Sequence, residues 1–526
     1  MKRKACRQCK KVKNIEDFNK KKNNEHKATC KTCEKKSSIK GNLNKLIKEQ
    51  EQILKYLFAG YNIKVNAVAG SGKTTCILHV GKQCRASKIC VITYNKKLQD
   101  ETQKKLIKYD INNIDIFTYH GSCNRKYINK RELITDYHIK TTIEEDIKTT
   151  NINYDIIIID EVQDMNQLYC DYIKKFLKDN KSKEPNIIIL GDENQCINQC
   201  NGSDERYLTM GDEIFLNENE WKSHKLSSTF RVPQEICDFL NNCMLKEERM
   251  ISNDGKGNPY LSGYKPRYFL KSSFTNIDNG SDYVLREIEY YLNFRDEKGN
   301  KKYKPDDIFI LAPSVKKKDS NQSPVNKLAN AISWKYNKDI LIYVNNDTDC
   351  MVEDKIYENK IVFSTHNSVK GLERKVVIIL NFDKSYFDYY DKESNPNVCP
   401  NRLYVAVTRS MERLSLFHHY EDDYLPFLSG KTQSEKETNI RKYCDVNPTG
   451  VRPGKLFTLD IKEKDVDPPC YSVTDLVKHL QIDVLLQLSG LYTKIKVKSA
   501  GKHLDIIGTS EQKKDHWEIV SDINGT

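Results

Sequence analysis

VNAVAGSGKTT, residues 65–75, starts apolar, passes through small residues and ends in Gly-Lys-Thr. KVNAVA reads as a short buried strand, GSGK as a loop and TTCILHV as the start of a helix. Strand, glycine loop and helix N-terminus together make an anion cradle, because free backbone N–H groups and the helix dipole both favour phosphate. The candidate nucleotide contacts are Ala69, Gly70, Ser71, Gly72, Lys73, Thr74 and Thr75. Lys73 supplies a point charge to phosphate oxygens, and Thr74 a hydroxyl to Mg2+. The full pattern asks for glycine at its first position, where this chain has Ala67.

Two further apolar runs extend this reading. NYDIIIIDEVQD, residues 153–164, is a strand ending in carboxylates, with Asp160 placed for Mg2+ and Glu161 as general base on a water. NIIILGDENQ, residues 186–195, ends in Gly191, Asp192 and Gln195, the last placed to sense a terminal phosphate or orient the water. Continuous apolar runs of this kind suit central strands of a parallel sheet, whose carboxyl ends converge on a ligand. IFILAPS (308–314), KIVFST (360–365) and KVVIIL (375–380) read as strands of a second sheet.

The chain has 526 residues, 38% hydrophobic and 30% charged, enough for two to four domains. It has no apolar run of membrane-spanning length and no secretory leader, which points to a reducing intracellular location such as cytoplasm, nucleus or viral factory. Residues 1–50 hold 17 Lys+Arg against 5 Asp+Glu, leaving a net charge of only +1 for the rest of a chain that totals +13. A basic field so concentrated suits a polyanion. Within it, Cys6, Cys9, Cys30 and Cys33 form C-x2-C-x20-C-x2-C, the spacing of a closed four-thiolate Zn2+ site. The plainer alternative is a group of free thiols in a solubilising tail. Most of the other cysteines read as reduced, partly buried small side chains.

The motifs AVAGSGKTT, DEVQD and GDENQ, in this order, resemble the superfamily 1 helicases of the UvrD/Rep/PcrA type. KEQ (48–50) resembles the family's adenine-reading motif and places Gln50 there; VITYNKKLQDET (91–102) looks like the strand and helix after the P-loop. FTYHGSC (117–123) resembles a motif lying along single-stranded DNA, with His120 as the contact. LSSTFR (226–231) implies Phe230 against adenine and Arg231 on the γ-phosphate. VFSTHNSVKGLE (362–373) implies Gly371 and Glu373 toward the nucleotide and Thr365, His366 and Lys370 toward DNA. RLYVAVTRSMERL (402–414) implies Arg409 as an arginine finger.

The resemblance covers residues 45–420 and implies an α/β fold of two RecA-like parallel-sheet motor domains with ATP in the cleft between them. The expected division is a basic zinc module at 1–40, motor domains at 41–222 and 223–430, and a C-terminal extension at 431–526. The implied activity is that of a monomeric ATP-dependent DNA helicase moving 3′ to 5′ on single-stranded DNA or forks. Two alternatives stand beside it: an RNA-directed motor, and a nucleic-acid-binding adaptor with a decayed motor. The chain departs from the family pattern after GDENQ, where Asn198, Cys200 and Asn201 stand in place of a tyrosine, an aromatic and an arginine. It also leaves little room for insertions, with only a loop and helix expected at 316–339. KTQSEKET reads as linker, and YSVTDLVKHL (471–480) as the start of a helix running to about 489. A similar element leads into a nuclease-like domain in large-DNA-virus helicases, but the spaced carboxylates such a domain needs are absent here. The extension is therefore expected to be truncated or a docking element, a possible protein contact along with the zinc module. The lysine-, asparagine- and isoleucine-rich composition suits an AT-rich, viral genome.

Overall fold

The computed structural model describes residues 43–271, 283–315, 358–419 and 422–447, apart from 95, 132, 150–151, 183 and 200–201. It also describes residues 3–5, 12–14, 16, 18–20, 26–30, 328, 332, 341–344, 458–460, 493–499, 502–508 and 517–520. The chain forms two units: the first runs to Tyr264 and adds Val369–Glu373 and Val398–Glu412, and the second takes the remainder.

The first unit is built on strands β1 (Asn62–Ala67), β2 (Ile89–Thr93), β3 (Ile114–Thr118), β4 (Ile156–Asp160), β5 (Asn186–Gly191) and β6 (Trp221–Leu226), ordered β6-β1-β5-β4-β2-β3. Each of the five ladders is parallel. The isoleucine runs explain this, since alternate residues enter two different cores. Ile156 and Ile158 pack with Ile53, Leu57 and Ile77, from helices α1 (Lys48–Phe58) and α2 (Lys73–Gln83). Ile157 and Ile159 pack with Ile139, Ile173 and Phe176, from helices α3 (Asp136–Glu144) and α4 (Gln167–Lys178). A strand covered on both faces needs apolar side chains at every position. β6 extends the sheet beside β1, and Ser228–Thr229 then pairs with Ile251–Ser252. The first unit therefore reaches past the expected boundary at 222.

The second unit holds β7 (Arg267–Lys271), β8 (Ile308–Ala312), β9 (Leu341–Val344), β10 (Lys360–Thr365), β11 (Arg374–Ile379), β12 (Ser410–His419) and β13 (Asp445–Val446), in the order β9-β10-β8-β11-β12-β7-β13. The first three residues of β12 belong to the first unit. Ile308, Ile310, Phe363, Val376 and Ile378 form its core with Val284, Ile288 and Tyr291 of the helix Tyr283–Asn293. The expected linker after residue 430 is instead a helix, Gln433–Tyr443. Thr432 Oγ1 accepts from the Glu435 amide (3.2 Å), and Glu435 Oε2 accepts from the Lys431 amide (2.7 Å), a capping arrangement a polar run can build.

At the chain ends the backbone pairs Arg3–Ala5 with Val12–Asn14 and Phe18–Lys20 with His26–Cys30. Strands at 458–460, 493–499, 502–508 and 517–520 form a four-stranded sheet. Most of the expected loop and helix at 316–339 and all of the expected helix at 471–489 lie outside the described residues, as do Cys6, Cys9, Cys33 and the Cys30 side chain.

Candidate nucleotide site

β1 ends at Ala67 and α2 begins at Lys73, so the GSGK loop lies where the sheet's carboxyl end meets a helix N-terminus. Ala67 replaces the usual glycine without cost to the loop, because it is still in the strand, buried and paired with Leu226. Gly70 (φ +75°) and Gly72 (φ +84°) are left-handed. A side chain at either would meet a neighbour at 2.6 Å, Arg231 Cβ from Gly70 and Gln50 Nε2 from Gly72. Gln50 is buried and donates to Ser71 O (2.9 Å), while its Oε1 accepts from the Ile47 amide (3.2 Å). The segment from 226 to 231 lies against the loop. Thr229 Oγ1 donates to Ala69 O (2.7 Å) and the Phe230 amide to Gly70 O (3.0 Å). Phe230 is exposed, and Glu49 anchors the segment by accepting from the Ser227 and Ser228 amides, both at 3.1 Å.

Asp160 ends β4 beside Thr93. Lys73 Nζ stands 3.3 Å from Glu161 Oε1, and Gln163 Nε2 donates to Glu161 Oε2 (2.7 Å). Glu161 sits at φ +55°, a strained conformation for a non-glycine residue, and the hydrogen bond and ion pair fix its carboxylate there. Burial opposes its charge, but the ammoniums of Lys73 and Lys370 outweigh this and hold the carboxyl below its ordinary range. For Asp160, burial and the charge of Glu161 dominate and push the carboxyl up. A buried carboxylate short of positive charge suits a divalent cation, which Asp160 and Thr74 would hold. The buried Ser71 Oγ, in the loop itself, has no hydrogen-bond partner among the described residues, as a phosphate cradle would leave it.

Gln195 stands between two charged groups. Its Nε2 donates to Asp192 Oδ2 (2.8 Å), and its Oε1 accepts from Arg409 Nη2 (3.2 Å). Arg409 is fully buried and, among the described residues, bonds only neutral oxygens, those of Val405 (3.0 Å), Leu372 (3.4 Å), Thr408 (3.2 Å) and Gln195. Burial and the neighbouring charge of Arg231 both hold its guanidinium below the ordinary arginine range. A buried cation with no anion in contact is suited to receive one. Arg231 pairs with Glu373 at 2.6 Å, and Lys370 pairs with Asp164 at 2.7 Å and donates to Gln195 O (2.5 Å). All of these residues belong to the first unit. Arg231 and Arg409, expected from a second motor domain, thus both lie in the first unit. Segments 369–373 and 398–412 return to the first unit, and the pairings of 221–229 with β1 and the P-loop hold Arg231 there.

The expected nucleic-acid residues are placed unevenly. His120 is part-exposed, its Nε2 2.9 Å from Asp136 Oδ1 and its ring edge-on to Tyr169. Thr365 and His366 are buried in the second unit, His366 stacked on Tyr386, which leaves little of either for a strand to touch. Lys370 is engaged by Asp164, which also accepts from Asn198 Nδ2 at 3.3 Å. Gly371 is left-handed (φ +80°) with open space around it. Cys200 and Asn201 lie outside the described residues.

Sequence reasoning missed three contributors. Gln163 joins Glu161 to the Asp192 amide (3.1 Å), Tyr404 donates to Asp192 Oδ2 (3.2 Å), and Arg249 pairs with both Asp192 and Glu193 at 2.7 Å. Gln163 and Tyr404 lay inside quoted motifs. Arg249 sits in a charged run, KEERM, that carries no local signal.

Residues 50–201 match the AAA domain family. Over 470 residues the chain is 23% identical to a candidate ATP-dependent DNA helicase, R568, of Acanthamoeba polyphaga mimivirus, covering 82% of this chain and 63% of that protein. It is 26% identical over 159 residues to a DNA helicase II homologue of Mycoplasma genitalium, covering 27% of this chain and 20% of that one. The chain thus spans less than two thirds of either relative. Among solved structures it is similar to Arterivirus nonstructural protein 10, a helicase, with TM-score 0.33 and 12% identity over 72% of this chain and 63% of that one. It is also similar to a variant of S. cerevisiae Dbp5 bound to RNA and ADP–beryllium fluoride, with TM-score 0.38 and 13% identity over 76% and 88% of the two chains. Among the described residues no helix is long and apolar enough to cross a membrane.

Proposed function

We propose that the chain is an ATP-dependent DNA helicase or translocase of the UvrD-like group, moving 3′ to 5′ on single-stranded DNA in replication, repair or recombination. The observation that carries it is the meeting, within one unit, of Lys73 and Glu161 with Gln195 and two arginines, one of them buried with no anion in contact among the described residues. The loop amides and Lys73 bind the phosphates. Lys73 exchanges Glu161 for phosphate, and the released carboxylate accepts the proton of a water that Gln195 orients. Arg231 and Arg409 neutralise charge developing on the γ-phosphate. Mg2+ held by Thr74 and Asp160 would polarise the phosphate oxygens when bound. The helicase names of the two relatives and the basic N-terminal segment support nucleic acid as the track.

The test is ATP hydrolysis with no nucleic acid, with single-stranded DNA and with RNA, followed by strand displacement on each overhang polarity. The expected result is stimulation by DNA and loss of hydrolysis in Lys73→Ala and Glu161→Gln. Stimulation by RNA alone would move the track to RNA. Hydrolysis indifferent to every nucleic acid would sink the motor.

A further inference from the structure

Arg249 lies where the supports of both arginines meet. It follows the helical stretch Gln234–Leu245, and Asn241 clips its backbone by accepting from the Arg249 (3.2 Å) and Met250 (3.1 Å) amides. Its guanidinium spans Asp192 Oδ1 and Glu193 Oε1, both at 2.7 Å, and reaches Asn66 Oδ1 of β1 at 3.2 Å. The residues after it hold the segment that leads into Arg231: the Ile251 amide donates to Ser227 O (2.9 Å) and the Asn253 amide to Thr229 O (2.8 Å). On its other side a continuous chain runs Arg249–Asp192–Gln195–Arg409.

Donor and acceptor logic fixes the direction of that chain. Arg409 can only donate, so it needs the carbonyl end of the Gln195 amide. That end faces Arg409 only while the NH2 end is claimed by an acceptor, Asp192 Oδ2. Asp192 is fully buried, and its one ion-pair partner among the described residues is Arg249. A buried carboxylate deprived of its cation is strongly disfavoured. We propose that Arg249 is a positioning residue for ATP hydrolysis, holding Asp192 as the acceptor that sets the Gln195 amide toward Arg409 while its own segment pins the segment that carries Arg231. The inference rests on the reading of Gln195, Arg231 and Arg409 as γ-phosphate groups.

The experiment compares kcat and KM for ATP in the full chain, with and without an oligo-thymidine strand. The variants are Arg249→Lys, Arg249→Gln, Gln195→Ala and the two double variants, with melting curves to establish folding. Lysine keeps the charge and loses the two-pronged grip. The expected result is a kcat lower by about 10- to 100-fold with KM unchanged, the size of loss that a small misplacement of a reacting group causes. In the Gln195→Ala background the Arg249 change should cost little more, because both act through one amide. A folded Arg249→Lys with wild-type kcat, or losses that multiply independently, would overturn the proposal. If Arg249→Gln does not fold, Arg249→Lys decides alone. A wild-type protein indifferent to DNA would count against the motor reading, while the same comparison on its basal rate still decides the role of Arg249.

Discussion

At Gly191 a single missing side chain permits a hydrogen-bonded joint. A Cβ there would run into Gln163 Oε1, the atom that accepts from the Asp192 amide, and would come within 3.2 Å of Leu208 and Val162. Gln163 is buried and its other end orients Glu161, so it has no room to retreat. Gly191→Ala should cost about 1–3 kcal/mol of stability, the usual scale for overpacking. It should also lower ATP turnover, because Glu161 loses its aligned donor. Urea unfolding and steady-state hydrolysis together check this, and a variant as stable and active as the parent would refute it. At this scale the sequence was most legible where chemistry demands a residue type at fixed spacing: Lys73 after its glycines, Glu161 after its strand. It was silent on Arg249, whose carboxylate partners lie more than 50 residues away. Nor did it show that Lys370 is paired, because nothing local reveals that Asp164 is near enough to bind the ammonium.

Elements were legible in proportion to their burial. β4 and β5 are apolar at almost every position because both faces are covered, so their runs stand out from a polar chain. The helix Gln433–Tyr443 buries only Lys436 and Ile440, which leaves too little periodicity to separate it from a linker. The helix Tyr283–Asn293 is tied to its sheet by charge as well as packing. Arg267 Nε and Nη2 donate to Glu287 Oε1 (2.7 Å) and Oε2 (2.9 Å), and Ser415 Oγ donates to Oε1 (2.7 Å). Removing one partner strands the other in a buried site. Glu287→Gln should therefore destabilise the protein by about 3–5 kcal/mol. Chemical denaturation of this variant beside Arg267→Met with Glu287→Met measures it, and the double replacement should recover much of the loss.

The whole molecule follows the expected plan of two sheets, and its division of the chain does not. Sequence order suggested one unit after another, whereas residues 369–373 and 398–412 belong with the first. Such returns are fixed by contacts distant in sequence, which local pattern does not encode. The second unit carries a pH dependence of its own. His418 is buried, accepting from Tyr268 OH on Nδ1 (2.8 Å) and donating through Nε2 to Asp422 O (2.9 Å). Burial lowers its pKa despite the nearby Asp383 and Asp422, and His419 lowers it further. The unfolded chain then binds the proton more readily. The contribution to stability is complete above the ordinary histidine value of about 6.5 and is lost as pH falls toward the depressed folded value. Melting temperature should drop on acidification through that window, and His418→Gln should flatten the drop; an unchanged slope would refute it. The discontinuity of the first unit also orders its birth. As the chain leaves the ribosome, the P-loop and its carboxylates emerge long before Arg409, and about 100 residues of the second unit must be made between Tyr264 and Val369. A nascent chain can therefore hold the parts of a nucleotide cradle while lacking Arg409, so on the proposed mechanism hydrolysis waits until translation has passed that residue.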